Sequence, residues 1–134
     1  MGEVYASFEV LNPLRPDLSV SLEGLTDTGA TLCLIPSADL ARIGIRRIRR
    51  VRLDLADGSI VERDLGHAAV RIGGHTAFLN VVFGDAGDPT LLGLTALESL
   101  GLAVDPVHRR LIPVDYKLMA LSRGRAPARD PVHA

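Results

Sequence analysis

Apolar residues in this chain are mostly spaced as in strands. Residues 4–10 alternate in part and predict a first strand. Residues 12–17, Asn-Pro-Leu-Arg-Pro-Asp, have the composition of a turn or short loop. Leu18, Val20 and Leu22 then alternate with Ser19 and Ser21, which puts three apolar side chains on one face of a second strand. A short apolar run at 32–35 predicts a third strand, stopped by Pro36. Ser37 is suited to cap a short helix through Ile43, with Asp39 in its first turn and Gly44 at its end.

Val51, Leu53 and Leu55 alternate with Arg52 and Asp54. They lead into Asp57-Gly58, which signals a hairpin because a type I′ turn needs positive φ at both central residues. The predicted hairpin spans 51–64, with Ile60 opening the return. Strands at 67–72 and 77–83 follow, joined at Gly73-Gly74, then a loop over 84–89 and the triplet Leu91-Leu92-Gly93. Thr95 to Glu98 has the form of a capping box opening a short helix that Gly101 ends. Residues 102–105 and 110–114 predict a final hairpin, which 116–121 either extend or follow with a turn of helix. From Ser122 onward Arg, Pro, Ala and Asp dominate and apolar periodicity stops, which predicts a disordered tail over 122–134. The pattern therefore gives a mostly-β chain, one domain over 1–121, with one or two short helices.

One stretch breaks the rhythm. Leu25-Thr26-Asp27-Thr28-Gly29-Ala30-Thr31 places an acid, a hydroxyl and a glycine between two apolar runs. On its own, Asp-Thr-Gly is ordinary turn chemistry. An Asp between apolar segments is expected to be partly buried, and a buried carboxylate is costly without hydrogen bonds or a charge partner. Thr28 offers a hydroxyl, and Gly29 permits a tight turn and close approach.

Composition narrows the alternatives. The chain has 134 residues, 47% of them hydrophobic but only 4% aromatic, so aliphatic side chains must fill the core. A net charge of -1 gives no reason to expect a polyanion partner. Arg46, Arg47, Arg49, Arg50 and Arg52 lie close together, but no aromatic residue interleaves them. They suit a solvated strand edge better than a nucleic-acid patch. The single cysteine, Cys33, excludes an intrachain disulfide and reads as a buried structural thiol. No signal peptide and no membrane-length apolar stretch is visible, so a cytoplasmic location is expected, with no membrane partner. His67, His75, His108 and His133 have no metal-ligand spacing, and no phosphate or dinucleotide loop is present. No metal and no cofactor is expected.

Asp27-Thr28-Gly29-Ala30, the hairpin turning at Asp57-Gly58, and Leu91-Leu92-Gly93 before a helix occur in that order. Together they resemble the active-site loop, flap and second signature of retropepsin-like, retroviral-type aspartic proteases. The resemblance covers roughly residues 4–114. It implies a closed β-barrel with a flap hairpin. It also implies a homodimeric endopeptidase in which Asp27 of each chain supplies one of two catalytic carboxylates acting on a water. Two carboxylates about 3 Å apart cannot both ionise comfortably and so share a proton. By the same resemblance, Thr28 locks the two loops together, Gly29 leaves room for the substrate main chain, and Ala56, Asp57 and Gly58 at the flap tip touch peptide substrate. Terminal strands at 4–10 and 111–114 would add to the interface.

The chain departs from the viral pattern. Thr31 and Leu32 stand where two acids usually follow the motif, and Leu94 stands where an Arg usually pairs with the first of them. Acid and base are absent together, as in a prokaryotic branch of the fold. The flap tip, Ala56-Asp57-Gly58-Ser59, also has fewer glycines. A non-catalytic dimer of the same fold, binding peptides or another protein, is the first competing reading. Asp27 argues against it, since a binding module has no use for a costly paired carboxylate.

Overall fold

The computed structural model describes residues 3–121. The predicted tail over 122–134 lies outside the described residues. Nine strands and two short helices follow in order. They are β1 (Tyr5–Asn12), β2 (Arg15–Asp27), β3 (Cys33–Pro36), α1 (Ser37–Arg42), β4 (Arg49–Asp54), β5 (Ile60–Ile72), β6 (His75–Gly84), β7 (Leu91–Gly93), α2 (Leu94–Leu100), β8 (Leu102–Asp105) and β9 (Arg110–Pro113).

The main sheet runs β1-β2-β7-β3-β6-β5-β4, and β1 also pairs with β5 through Glu9–Arg71, Val10–Val70 and Leu11–Ala69. That extra pairing closes a ring, β1-β2-β7-β3-β6-β5, and leaves β4 as an edge strand outside it. Closure removes sheet edges that would otherwise template pairing with other chains. The barrel core contains Phe8, Val10, Ile35, Val70, Val81, Phe83, Leu92 and Leu97. Leu18, Val20 and Leu22 pack against it from one face of β2, as their alternation predicts.

Several expectations need correction. The loop placed at 12–17 shrinks to a Pro13-Leu14 turn, and Arg15, Pro16 and Asp17 belong to β2. The β1–β2 register jumps between Leu11–Ser19 and Asn12–Arg15, so Pro16, which has no N–H for a ladder, sits at an irregularity. The break expected between Asp64 and His67 is absent, because β5 is continuous from Ile60 to Ile72. Gly66 permits this: a Cβ there would lie 2.7 Å from Phe83 Cε1 and 2.9 Å from the Arg46 carbonyl. The hairpin after β4 does not make a type I′ turn. Of Asp57 and Gly58 only Gly58 has positive φ, +86°. The Gly58 N–H bonds the Leu55 carbonyl at 3.0 Å and the Leu55 N–H bonds the Ser59 carbonyl at 2.9 Å. This is a three-residue loop, with a left-handed residue third.

Neither helix is capped as its sequence suggests. Ser37 lies inside α1, and its Oγ donates to the Gly84 carbonyl at 2.7 Å, while Pro36 occupies the cap. Thr95 likewise lies inside α2, and Gly93 is the capping residue. Gly101, at φ +66°, ends α2 as expected. Residues 116–121 form neither strand nor regular helix. Tyr116 fixes the start of this stretch by donating its hydroxyl to the Ser99 carbonyl at 2.6 Å.

Of the arginine run, Arg49, Arg50 and Arg52 lie on the edge strand β4, and Arg46 and Arg47 lie in the segment before it. Arg47 reaches Asp64 at 2.7 Å and stacks its guanidinium 4.4 Å over the Phe83 ring, while Arg50 lies 3.5 Å from Asp64. These contacts hold the Asp64 carboxyl below the usual carboxylate range, chiefly through the Arg47 hydrogen bond. No helix among the described residues is long and apolar enough to cross a membrane.

Candidate active site

β2 delivers Asp27 at its last residue, where Asp27 stands opposite Gly93 in a parallel pairing of β2 with β7. Asp27 is half-buried, whereas Thr28 and Gly29 are exposed. The loop is braced from within. The Gly29 N–H donates to Asp27 Oδ1 at 2.9 Å, and the Ala30 N–H donates to the Asp27 carbonyl at 3.1 Å. One carboxylate oxygen is thereby fixed by the backbone.

The second signature seals the loop from the other side. β7 lies between β2 and β3, with Leu34 of β3 opposite Leu91. The Leu94 N–H donates to the Ala30 carbonyl at 2.8 Å and the Thr95 N–H to the Thr31 carbonyl at 3.1 Å. The Thr95 hydroxyl donates to that same carbonyl at 2.9 Å. So the first turn of α2 spends its unpaired donors on the Asp27 loop instead of on a side-chain cap. The Gly93 N–H points at buried Cys33 Sγ, 3.4 Å away, and burial pushes the Cys33 thiol up from its ordinary pKa.

Gly93 is glycine because of this close approach. A Cβ there would overlap the Leu32 carbonyl and lie 3.0 Å from the Ala30 carbonyl. Gly93→Ala is expected to cost about 1–3 kcal/mol, as overpacking of a rigid contact does. Chemical denaturation tests this, and an unchanged midpoint would mean the loop has room to spare.

Thr26 also braces the loop, without any signal in the sequence. Its N–H and Oγ1 both donate to the Val4 carbonyl, at 2.8 and 2.7 Å, tying the chain's start to the residue before Asp27. No pattern marks such a contact, since it joins residues far apart in sequence.

The structure brings Asp27, Thr28 and Gly29 together in one loop. Ala56, Asp57 and Gly58 sit elsewhere, exposed at the tip of the β4–β5 hairpin. Among the described residues no hydrogen bond or ion pair joins this tip to the Asp27 loop. The tip is ordered by Asp57, whose Oδ1 accepts from the Ser59 N–H at 2.9 Å and the Ser59 hydroxyl at 2.5 Å. Those bonds, the hydroxyl's first, hold its carboxyl below the usual range.

The base of the hairpin is tied to the β7 side of the site. Arg63 of β5 donates Nε to Asp88 Oδ2 at 2.9 Å and Nη2 to Asp88 Oδ1 at 3.2 Å, and Nη1 lies 3.3 Å from Asp85. Asp88 sits in the loop leading into β7. The Arg63 hydrogen bond holds the Asp88 carboxyl below its ordinary value. A depressed folded-state pKa stabilises the fold above the unfolded carboxylate range, and that stability is lost as pH falls through the lowered value. Arg63→Met should therefore lower the melting temperature at neutral pH. The gap to the parent should narrow as pH drops below about 4. A gap independent of pH would refute the assignment.

Among the described residues no three His, Cys, Asp or Glu side chains cluster so as to hold a metal ion.

The family described as "gag-polyprotein putative aspartyl protease" matches residues 19–99, which contain both signatures and the hairpin. No curated protein sequence is significantly similar to the chain. Solved structures share the fold at low identity. The EIAV protease complexed with the inhibitor HBY-793 is 20% identical, with a TM-score of 0.56 over 75% of this chain and 89% of that one. The retroviral protease-like domain of Ddi1 from Leishmania major is 16% identical, with a TM-score of 0.55 over 84% and 89%. A retropepsin-like aspartic protease from Rickettsia conorii is 23% identical, with a TM-score of 0.51 over 78% and 77%.

Proposed function

The chain belongs to the gag-polyprotein aspartyl protease family and has the retropepsin-like fold; from that premise we propose that it is a homodimeric aspartic endopeptidase with Asp27 as its catalytic residue. The observation that carries the proposal is the state of the Asp27 loop. A half-buried carboxylate is held by its own backbone at the end of β2, with Thr28 and Gly29 turned to solvent. The described chain contains one Asp-Thr-Gly, so the second carboxylate comes from a second copy across a two-fold axis.

The surface beside the loop suits such a partner. Thr28 borders an apolar groove of about 440 Å³ formed by Leu94, Leu97, Leu102, Val104 and Pro106. The β8–β9 hairpin contributes to that groove and pairs with no other strand among the described residues. The resemblance also assigns terminal strands at 4–10 and 111–114 to the interface. β1 is paired by β2 along its length and by β5 at Glu9–Leu11.

In the dimer one Asp27 carboxylate takes a proton from water as the water attacks the peptide carbonyl carbon. The other, protonated, donates to the carbonyl oxygen. The tetrahedral intermediate collapses when a proton reaches the amide nitrogen and the amine leaves. Gly29 leaves space for the substrate main chain. The tip at Ala56, Asp57 and Gly58 closes over it and excludes water. Because Thr31, Leu32 and Leu94 replace the charged set of viral enzymes, substrate contacts there rest on main-chain groups and apolar packing.

The test is incubation of the purified protein with a mixed peptide library, followed by mass spectrometry of new termini. Cleavage that a statine-type transition-state analogue blocks supports the proposal. Binding of peptides without any cleavage would favour the non-catalytic dimer.

A further inference from the structure

At the far end of β2 from Asp27, the Pro13-Leu14 turn meets the chain after α1 and the outer face of β5 and β6. Two concavities of about 350 and 330 Å³ adjoin there and share Pro13 and His67. Their apolar rim is unusually open: Leu14 is 91% exposed, Phe78 72% and Ile48 52%. Phe78 is one of three phenylalanines, and the other two are buried. Apolar groups grouped this way mark interaction sites more often than scattered ones do.

The groove is also built. Asn12, a buried polar residue, holds its two walls together. Its Nδ2 donates to the Ile43 carbonyl at 2.9 Å and the Gly44 carbonyl at 3.3 Å, and its Oδ1 accepts the Leu14 N–H at 2.9 Å. Leu14 is thus presented on a fixed turn, which lowers the entropy lost on binding. The charge is one-sided: Arg46 lines the concavities and no Asp or Glu does. Among the described residues Arg46 has no ion pair, whereas neighbouring Arg47 and Arg50 both engage Asp64.

We propose that this groove docks a peptide or protein segment presenting an apolar side chain flanked by carboxylates. A second copy of the chain is disfavoured as occupant. A two-fold contact pairs this face with itself, and it carries no carboxylate to meet Arg46.

The docking reading does not depend on hydrolysis, so the test uses the Asp27→Asn chain, in which cleavage is removed. Three fluorescein-labelled peptides serve as probes: Asp-Glu-Leu-Phe-Glu-Asp, Lys-Lys-Leu-Phe-Lys-Lys and Asp-Glu-Ser-Ser-Glu-Asp. Anisotropy should show the first binding about tenfold more tightly than either of the others. Leu14→Ser, Phe78→Ser and Arg46→Glu should each weaken it by about tenfold. All three positions are exposed, so circular dichroism should be unchanged. A statine-type inhibitor should not displace the peptide. Equal binding of the three peptides, binding indifferent to the three substitutions, or displacement by the inhibitor would each overturn the proposal. So would conversion of a dimer to a monomer by Leu14→Ser, which would make the groove a self-contact.

Discussion

Asp27→Asn is expected to abolish peptide hydrolysis and leave the fold and the dimer in place. Asn retains an oxygen at the position of Oδ1, so it still accepts the Gly29 N–H that orders the loop. It cannot take a proton from water or hand one to a carbonyl oxygen. General acid–base catalysis contributes about 10²–10⁴-fold, and this change removes both halves at once, so a loss of roughly 10³-fold or more is expected. Asp27→Ala should be equally inactive but less stable, by about 1 kcal/mol, because the Gly29 N–H loses its acceptor. The pair of variants separates chemistry from structure. Paired measurements of cleavage rate and denaturation midpoint check both, and appreciable hydrolysis by the Asn variant would remove Asp27 from the mechanism.

Hydrolysis is also expected to depend on chain concentration. Each chain brings one Asp27 and an exposed Thr28 beside an apolar groove. A monomer then has one carboxylate where the reaction needs two. Below the dimer dissociation constant the specific activity should fall in proportion to total chain concentration, because the dimer fraction does. Sedimentation velocity across the same dilution series should show the dimer disappearing in step. Specific activity that stays constant while the protein becomes monomeric would mean that one chain is sufficient.

The parts of this architecture visible in the sequence are those governed by local geometry. Gly73-Gly74 and Gly101 adopt the left-handed conformations their positions suggest, and the alternation of Leu18, Val20 and Leu22 matches their packing. The Asp27 loop stands out in the sequence because an Asp, a Thr and a Gly between two apolar runs are chemically conspicuous. What stayed hidden depends on distant partners. Thr95 looks like a helix cap until the Thr31 carbonyl competes for its hydroxyl. The continuity of β5 through 65–66 depends on Gly66 fitting against Phe83 and the Arg46 carbonyl, which no local pattern marks. Periodicity reports which face of β1 is apolar but not that β5 will pair with its other edge and close the barrel. The hairpin is legible in the alternation around Asp57-Gly58 but its turn type is not, because Asp-Gly suits both a two-residue and a three-residue loop.

The most direct test of the central claim, that two Asp27 side chains from two copies make one catalytic site, is a mixing titration. Wild-type chain is held fixed, Asp27→Asn chain is added, subunits are allowed to exchange, and peptide cleavage is measured. If the site is shared, mixed dimers are inactive. The activity per wild-type chain should then fall in proportion to the wild-type fraction as the variant is added. Activity that stays constant throughout the titration would show that each chain works alone, and would contradict the account.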